Sequence, residues 1–334
     1  MKGELFEKIN GEIKCKLCGH NCRIKPGAVG ICGVRENSRG EIKPLSYGKV
    51  SSINIDPIEK KPLYHFLPGT YSYSLGSVGC NFSCLFCQNY VISQEWSRRD
   101  IFEMSCEEVV KRVLESGCPS VSWTYNEPTI WFEFTRDCTI PLKEAGVKGV
   151  YVTNGFMSEE ALEEIAKFID AFSLDIKSFS EKFYRKICGG KLDIVIENAI
   201  RAKKLGIHIE IVNLVIPGYN DDEREIRELS RWILENLGEE TPVHFTRFHP
   251  DYKMMNVPST PMKILERAYE IAKNEGLLYV YVGNVLNEGL NSTFCPNCNE
   301  LLIYRSGFSA KIVGLKGDRC ANCNTKIEVV LKGD

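Results

Sequence analysis

Gly79-Cys80-Asn81-Phe82-Ser83-Cys84-Leu85-Phe86-Cys87-Gln88-Asn89 sets three cysteines four and three residues apart, with an aromatic just before the last. Three thiolates on so tight a loop can hold three corners of an iron–sulfur cubane, and protein-bound clusters of this kind normally take four cysteines. A corner without a protein ligand is an open coordination site, by the logic that separates catalytic from closed structural metal sites. The competing reading is a three-cysteine zinc site that borrows a fourth ligand such as His65.

The chain around this loop has 334 residues, enough for one large domain with small appendages. Hydrophobic content of 43% and charged content of 26% are those of an ordinary globular protein, and Glu, Lys and Ile lean toward a thermophile. A formal net charge of −2 gives no reason to expect a nucleic-acid partner. No apolar run is long enough to span a membrane, and Met1-Lys2-Gly3-Glu4 opens no signal peptide, so a cytoplasmic protein is expected. The 15 cysteines are odd in number and argue against a disulfide framework. Three tight groups account for most of them: Cys15, Cys18, Cys22 and Cys32; Cys80, Cys84 and Cys87; Cys295, Cys298, Cys320 and Cys323. Cys106, Cys118, Cys138 and Cys188 are scattered and read as small buried hydrophobes.

Three regions follow. Residues 1–47 form a four-cysteine module too short to bury a core of its own, so a metal or the main domain must order it. A zinc knuckle is its first reading and an auxiliary iron–sulfur cluster its second, with His20 a bystander. Residues 48–290 form the core. Apolar runs at 72–78, 120–125, 148–153, 171–176, 207–216, 242–248 and 278–282 alternate with helical stretches at 105–116, 129–145, 158–168, 192–205, 221–236 and 260–275. Ser105 with Glu108 reads as a capping box, and Ser158 as an N-cap followed by two acids. Such alternation implies a parallel sheet covered by helices; the units are too few for a complete eight-unit barrel, so the expected fold is α/β, a partial, open (β/α)6-type barrel. Residues 291–334 carry two CxxC knuckles, Cys295/Cys298 and Cys320/Cys323, at the spacing of a zinc ribbon.

Chemistry in a parallel barrel gathers at the C-terminal ends of the strands. The cysteine loop follows the first strand, Asn126-Glu127-Pro128 the second and Thr153-Asn154-Gly155 the third. Asp175 and Lys177 end the fourth, Asn213 the fifth and His249 the sixth. A strand end often carries Asn, Asp or Gly merely to turn, but six polar ends in register point to one rim.

The Cys-x3-Cys-x-Phe-Cys run resembles the signature of the radical S-adenosylmethionine (SAM) enzymes. That resemblance implies a [4Fe–4S] cluster on Cys80, Cys84 and Cys87, with SAM chelating the open iron and Phe86 beside its adenine. Around such a ligand, Asn126 and Glu127 can accept from the ammonium, Lys177 and His249 can bind the carboxylate or ribose, and Thr153 and Asn154 suit the methionyl end or ribose. Asp175 and Asn213 complete the expected cofactor set. Thr153-Asn154-Gly155-Phe156, Leu174-Asp175-Ile176-Lys177 and Ile216-Pro217-Gly218-Tyr219-Asn220-Asp221 look like motifs of the pyruvate formate-lyase activating enzymes. Two departures stand out: Tyr125-Asn126-Glu127 replaces their Gly-Gly-Glu, and Val152 stands where they have a cation-binding Asp. The match over nearly the whole chain is to the radical SAM component of the AmmeMemoRadiSam system, through Cys15–Cys22, Gly79–Asn89, Tyr125–Thr129 and Cys295–Cys323.

The expected activity is reductive cleavage of SAM to a 5′-deoxyadenosyl radical, fed by a low-potential donor such as flavodoxin or ferredoxin. A protein substrate, as for an activating enzyme, is the first reading and a small molecule or lipid the second. Cobalamin-dependent methyl transfer lacks a domain to hold the cofactor. A non-enzymatic zinc-ribbon adaptor would need a basic stripe, and Lys60-Lys61, Arg98-Arg99 and Lys203-Lys204 are only pairs.

Overall fold

The periodic runs of the core become one sheet, and the cysteine modules attach at its two ends. The fold is described from a computed structural model at residues 2–98, 100–285 and 288–333; Arg99 of the Arg98-Arg99 pair lies outside them. Phe6–Ile9 (β1), Glu12–Cys15 (β2) and Arg23–Ile24 (β3) form a small antiparallel sheet, and Arg35–Ser38 (β4) with Glu41–Pro44 (β5) a hairpin. Lys49–Val50 (β6) follows, then Ser52–Pro57 (β7) and Tyr71–Gly76 (β8). The helical turn Tyr90–Ser93 (α1) leads to Phe102–Glu103 (β9), which pairs with β6.

From β8 onward the chain alternates. Cys106–Ser116 (α2), Ser120–Trp123 (β10), Phe132–Glu144 (α3), Lys148–Thr153 (β11), Glu159–Ile165 (α4) and Ala171–Asp175 (β12) come first. Glu181–Phe183 (α5), Leu192–Lys204 (α6), His208–Val215 (β13), Glu223–Leu237 (α7), Val243–Arg247 (β14), Met262–Asn274 (α8) and Val280–Gly283 (β15) follow. The sheet order is β15-β14-β13-β12-β11-β10-β8-β7. Every pair from β8 to β15 is parallel, and β7 adds antiparallel to β8 at one edge. The sheet is open: β7 and β15 are its two edges. The α/β expectation holds, as do its strands and helices. The Ser105 hydroxyl accepts from the Glu108 amide, and that of Ser158 from the Ala161 amide, so both N-caps form.

Between sheet and helices lies a continuous apolar core that includes Leu75, Val121, Tyr151, Ile211, Phe245 and Val282. Each such buried side chain contributes about 1.5–3 kcal/mol. At the other end from the strand tips, Glu210 of β13 is fully buried and accepts from the amides of Tyr64 and His65 and from His244 at 2.8 Å. Burial opposes its charge, but the hydrogen bonds of His208 and His244 hold its pKa well below the usual carboxylate range.

The C-terminal ribbon seats on this layer. Thr293–Phe294 (β16), Leu301–Ser306 (β17) and Ser309–Ile312 (β18) form one antiparallel sheet, Leu315–Lys316 (β19) and Arg319–Cys320 (β20) another. Arg305 of β17 is fully buried, donates to the Tyr64 carbonyl at 2.6 Å and lies 4.1 Å over the Tyr64 ring. The N-terminal module is fixed as firmly. Arg35 and Glu133 of α3, both 1% exposed, pair at 2.8 Å. Removing one partner of such a pair costs about 3–5 kcal/mol because the other charge is stranded.

Candidate active site

The loop between β8 and α1 starts at a glycine for a steric reason. Gly79 has φ +81°, and a Cβ there would stand 2.5 Å from the carbonyl oxygen of Cys32. The loop then lies on the segment after α5: the amides of Ser83 and Leu85 donate to the carbonyls of Cys188 and Ile187. Tyr184–Cys188 is a π-helical turn, a rare form often found at functional sites. From the other side, Asn126 accepts from the Ser77 amide through Oδ1 and donates to the Gly79 carbonyl through Nδ2, both at 2.9 Å.

So held, Cys80, Cys84 and Cys87 line one side of a cavity of about 540 Å3, with Phe86, Asn126, Glu127, Asn154, Asp175 and Lys177 around it. This volume suits a nucleoside-sized ligand. Burial, then the charge of Glu127, pushes the Cys80 thiol well up; a hydrogen bond with the Cys188 thiol, then burial, does the same to Cys84. Thiols so placed become thiolates only when a metal supplies positive charge. Lys177 is the nearby cation: burial opposes its charge, but Asp175, 2.9 Å from Nζ, and the Cys84 and Cys188 thiols raise its pKa well above the usual value. Its Nζ also lies 5.8 Å over the Phe86 ring. Three thiols, a polarising ammonium and a roomy cavity fit a cluster with one open iron and a ligand on it.

Glu127 lines the cavity and is also tied to its own chain. Its Oε1 accepts from the Thr129 hydroxyl, the Thr129 amide and the Thr153 hydroxyl, and its Oε2 from the Asn154 amide at 2.8 Å. One lone pair on Oε2 is left for a ligand; the rest of the carboxylate ties the second strand end to the third. Asn154 in turn donates to Asn81 Oδ1 within the cysteine loop. Asn126 is likewise a brace, its amide already bonded at both ends.

Three expected residues are not on the cavity. Thr153 is 1% exposed and bonded to Glu127, while its neighbours Val152 and Asn154 line the space. Asn213 is buried and donates to the Ile176 carbonyl, while Val212 and Leu214 face the cavity. A strand sends successive side chains to opposite faces, so a strand-end position alone does not give a direction. His249 is exposed, with Nδ1 3.4 Å from the Pro250 carbonyl. The competing His65 ligand fails outright: that ring is buried under the ribbon, between the Glu328 carbonyl and the Tyr281 hydroxyl.

The cavity also reaches residues that the sequence had not placed in the site. Lys60, Lys61, Pro62, Tyr125 and, from the ribbon hairpin, Phe308 line its far side. Tyr125 takes φ 71°, a costly region for an aromatic residue, and its hydroxyl donates to Asp56 at 2.6 Å. Lys61 is 2% exposed and 2.6 Å from Asp56; burial, opposed by Asp56, lowers its pKa to about 8. Lys60-Lys61 had read as a solvated pair; Lys60 is indeed exposed, while Lys61 is brought inward because β7 joins the main sheet, which nothing in the sequence signals.

At the other end, the four ribbon thiols are gathered within 4.8 Å of one another, with Sγ–Sγ distances of 3.5 Å for Cys295–Cys323 and 3.6 Å for Cys298–Cys320. They form a closed four-thiol cluster that could hold a metal ion. No described helix is long and apolar enough to cross a membrane.

A mostly parallel α/β sheet with an open three-thiol loop after its first parallel strand defines an iron–sulfur class of protein. The Radical SAM superfamily matches residues 75–230. An uncharacterized protein of Methanocaldococcus jannaschii is 45% identical over 333 residues, 98% of each chain. The pyruvate formate-lyase 1-activating enzyme of Escherichia coli is 22% identical, over 59% of this chain and 87% of its own. Streptococcus suis SuiB bound to S-adenosylmethionine superposes with a TM-score of 0.50 at 19% identity, over 68% of this chain and 54% of that one, a likeness of fold. The chain thus carries a radical SAM domain with homology to the pyruvate formate-lyase activating enzymes.

Proposed function

We propose that this chain is a radical SAM enzyme that acts on a protein substrate, holding its [4Fe–4S] cluster on Cys80, Cys84 and Cys87. When bound, the cluster delivers one electron to SAM, whose cleavage gives methionine and a 5′-deoxyadenosyl radical able to take hydrogen from a substrate. The observation that carries the reading is the three thiols that line the 540 Å3 cavity, with Asp175 and Lys177 in the same lining.

The chain's own residues do the positioning. Asn126, Asn81 and Asn154 brace the loop, so its three thiols are held along the cavity wall. Lys177, kept charged by Asp175, supplies the ammonium that a carboxylate or ribose of SAM needs. The remaining lone pair on Glu127 Oε2 suits the SAM ammonium. Phe86 offers an apolar face beside them. The ribbon thiols take zinc, whose tetrahedral bonds of about 2.3 Å place thiolates at the spacing found there.

A protein substrate is supported by the shape of the cavity. Its lining runs from the cysteine loop to Lys60 and Lys61, beside edge strand β7, and to Asn284, just past the other edge strand, β15. An extended segment can enter along such an open flank. The small-molecule reading is favoured by one feature: Lys60 and Lys61 share the single carboxylate of Asp56, which leaves a positive charge for an anionic substrate.

The test is anaerobic. Protein reconstituted with iron and sulfide, then given dithionite and SAM, is expected to form 5′-deoxyadenosine, and Cys84→Ala to form none. A fully loaded cluster that makes no product overturns the reading.

A further inference from the structure

We propose that Cys15, Cys18, Cys22 and Cys32 hold an auxiliary [4Fe–4S] cluster, closed by four thiolates and seated against the loop that carries Cys80. The four side chains converge. Antiparallel β2 and β3 place Cys15 against Cys22, with the Cys15 amide donating to the Cys22 carbonyl at 2.9 Å. The turn through Gly30 and Gly33 brings in Cys32, and a Cβ on Gly30 would lie 3.6 Å from the Cys22 sulfur. Cys18 lies within electrostatic reach of the other three. Backbone N–H groups of His20, Ile31 and Val34 lie near the sulfurs of Cys18, Cys22 and Cys32, where they favour thiolates.

Spacing separates iron–sulfur from zinc. A single tetrahedral zinc with bonds of about 2.3 Å draws its thiolates to within roughly 4 Å of each other. The ribbon has that spacing. Among the described residues it is the group of cysteines so gathered; neither the N-terminal four nor the core three draw together in this way. A cubane carries each thiolate on a separate iron and holds them further apart. The N-terminal set is thus spaced more widely than the ribbon, as the core loop is. The match to the core loop rests on the function proposed above; the contrast with the ribbon does not. Charge agrees as well. A cubane with four thiolates is an anion, and the buried guanidinium of Arg35 lies within electrostatic reach of Cys15 and Cys32.

The placement next to the core is direct. The Cys32 carbonyl abuts Gly79, and His20 Nε2 donates to the Asn81 carbonyl at 2.6 Å. His20 thus joins the module to the cysteine loop and is no bystander.

Two variants and the unaltered chain, all reconstituted anaerobically, test this through metal and sulfide counts and through EPR of the reduced protein with and without SAM. The unaltered chain is expected to bind about eight irons and the ribbon about one zinc. The Cys80→Ala/Cys84→Ala/Cys87→Ala variant is expected to keep about four irons, with a signal that SAM does not move because every iron is already ligated. The Cys18→Ser/Cys22→Ser variant is expected to lose about four irons and keep a signal that SAM shifts. A core variant with no iron, or an unaltered chain with about two zincs and about four irons, overturns the proposal. The core variant leaves the N-terminal thiols intact, so it decides the matter even where Cys18→Ser/Cys22→Ser fails to fold. An unaltered chain whose signals all ignore SAM would instead count against the function proposed above and leave this cluster standing.

Discussion

The cysteine loop and the ribbon use the same ligand to opposite ends. In the ribbon, four thiols draw to within 4.8 Å of one another on two knuckles, and none of them lines the cavity. In the loop, three thiols stand along a cavity, braced by Asn81, Asn126 and Asn154. A closed set satisfies its metal and can only hold structure together. An incomplete set, kept rigid by its neighbours, leaves a coordination site for chemistry. The sharpest way to break this contrast is to remove one thiol from each. Cys84→Ala is expected to abolish SAM cleavage, measured as 5′-deoxyadenosine, since two thiols cannot retain the cluster. Cys320→Ser is expected to release the ribbon's metal, lower the melting temperature and leave the core iron content unchanged. Equal loss of activity in both would show that the ribbon is part of the reacting site.

A smaller effect tests the bracing itself. Glu127 accepts four hydrogen bonds, two of them from backbone amides, and Gln cannot accept them all because one of its ends only donates. Glu127→Gln is expected to reduce SAM cleavage by about 10–100-fold, the usual range for a group that orients ligands, while cluster iron is retained. A drop confined to SAM affinity would assign Glu127 mainly to the ligand; a drop in turnover at saturating SAM would assign it to the loop.

How far the sequence reveals these two sites follows from periodicity. The runs 148–153 and 171–176 became β11 and β12 almost residue for residue, because fully buried parallel strands are continuous apolar segments with clear turns. The cysteine spacings were legible because ligands on one knuckle or loop are local in sequence. Two things were not. β7, Ser52-Ile53-Asn54-Ile55-Asp56-Pro57, is an edge strand whose consecutive Asn54 and Ile55 are both exposed, so its pattern resembles a linker. Consequently Asp56, Lys60, Lys61 and Tyr125 gave no sign of meeting. Thr153 and Asn213 sit at the right height on their strands but face away from the cavity, and period two along 152–154 and 212–214 is the signal that sorts them. Glu127 was found, yet its partners lie 2 to 27 residues away and are set by tertiary packing.

The smallest expected effect concerns how the ribbon is fastened to the core. His65 is fully buried, donating through Nδ1 to the Glu328 carbonyl and accepting through Nε2 from the Tyr281 hydroxyl. That arrangement needs a neutral ring. Burial, opposed by Glu210, lowers its pKa from 6.5 to about 4. Between those values the unfolded chain takes up a proton that the folded chain does not, so stability must fall as the pH drops from 6.5 toward 4 and change no further below that through this group. The shift corresponds to about 3 kcal/mol across the window. Glu210 acts on the acid side of it, since a carboxylate held below 4.5 loses its contribution only under more acidic conditions. Urea unfolding at several pH values is expected to show this slope in the unaltered chain and a flatter one in His65→Gln. Taking the difference between the two cancels acid release of the ribbon metal, which both share. Parallel slopes would mean that the ring stays protonated beneath the ribbon, with the Tyr281 hydroxyl turned toward Thr293, which lies 2.8 Å away.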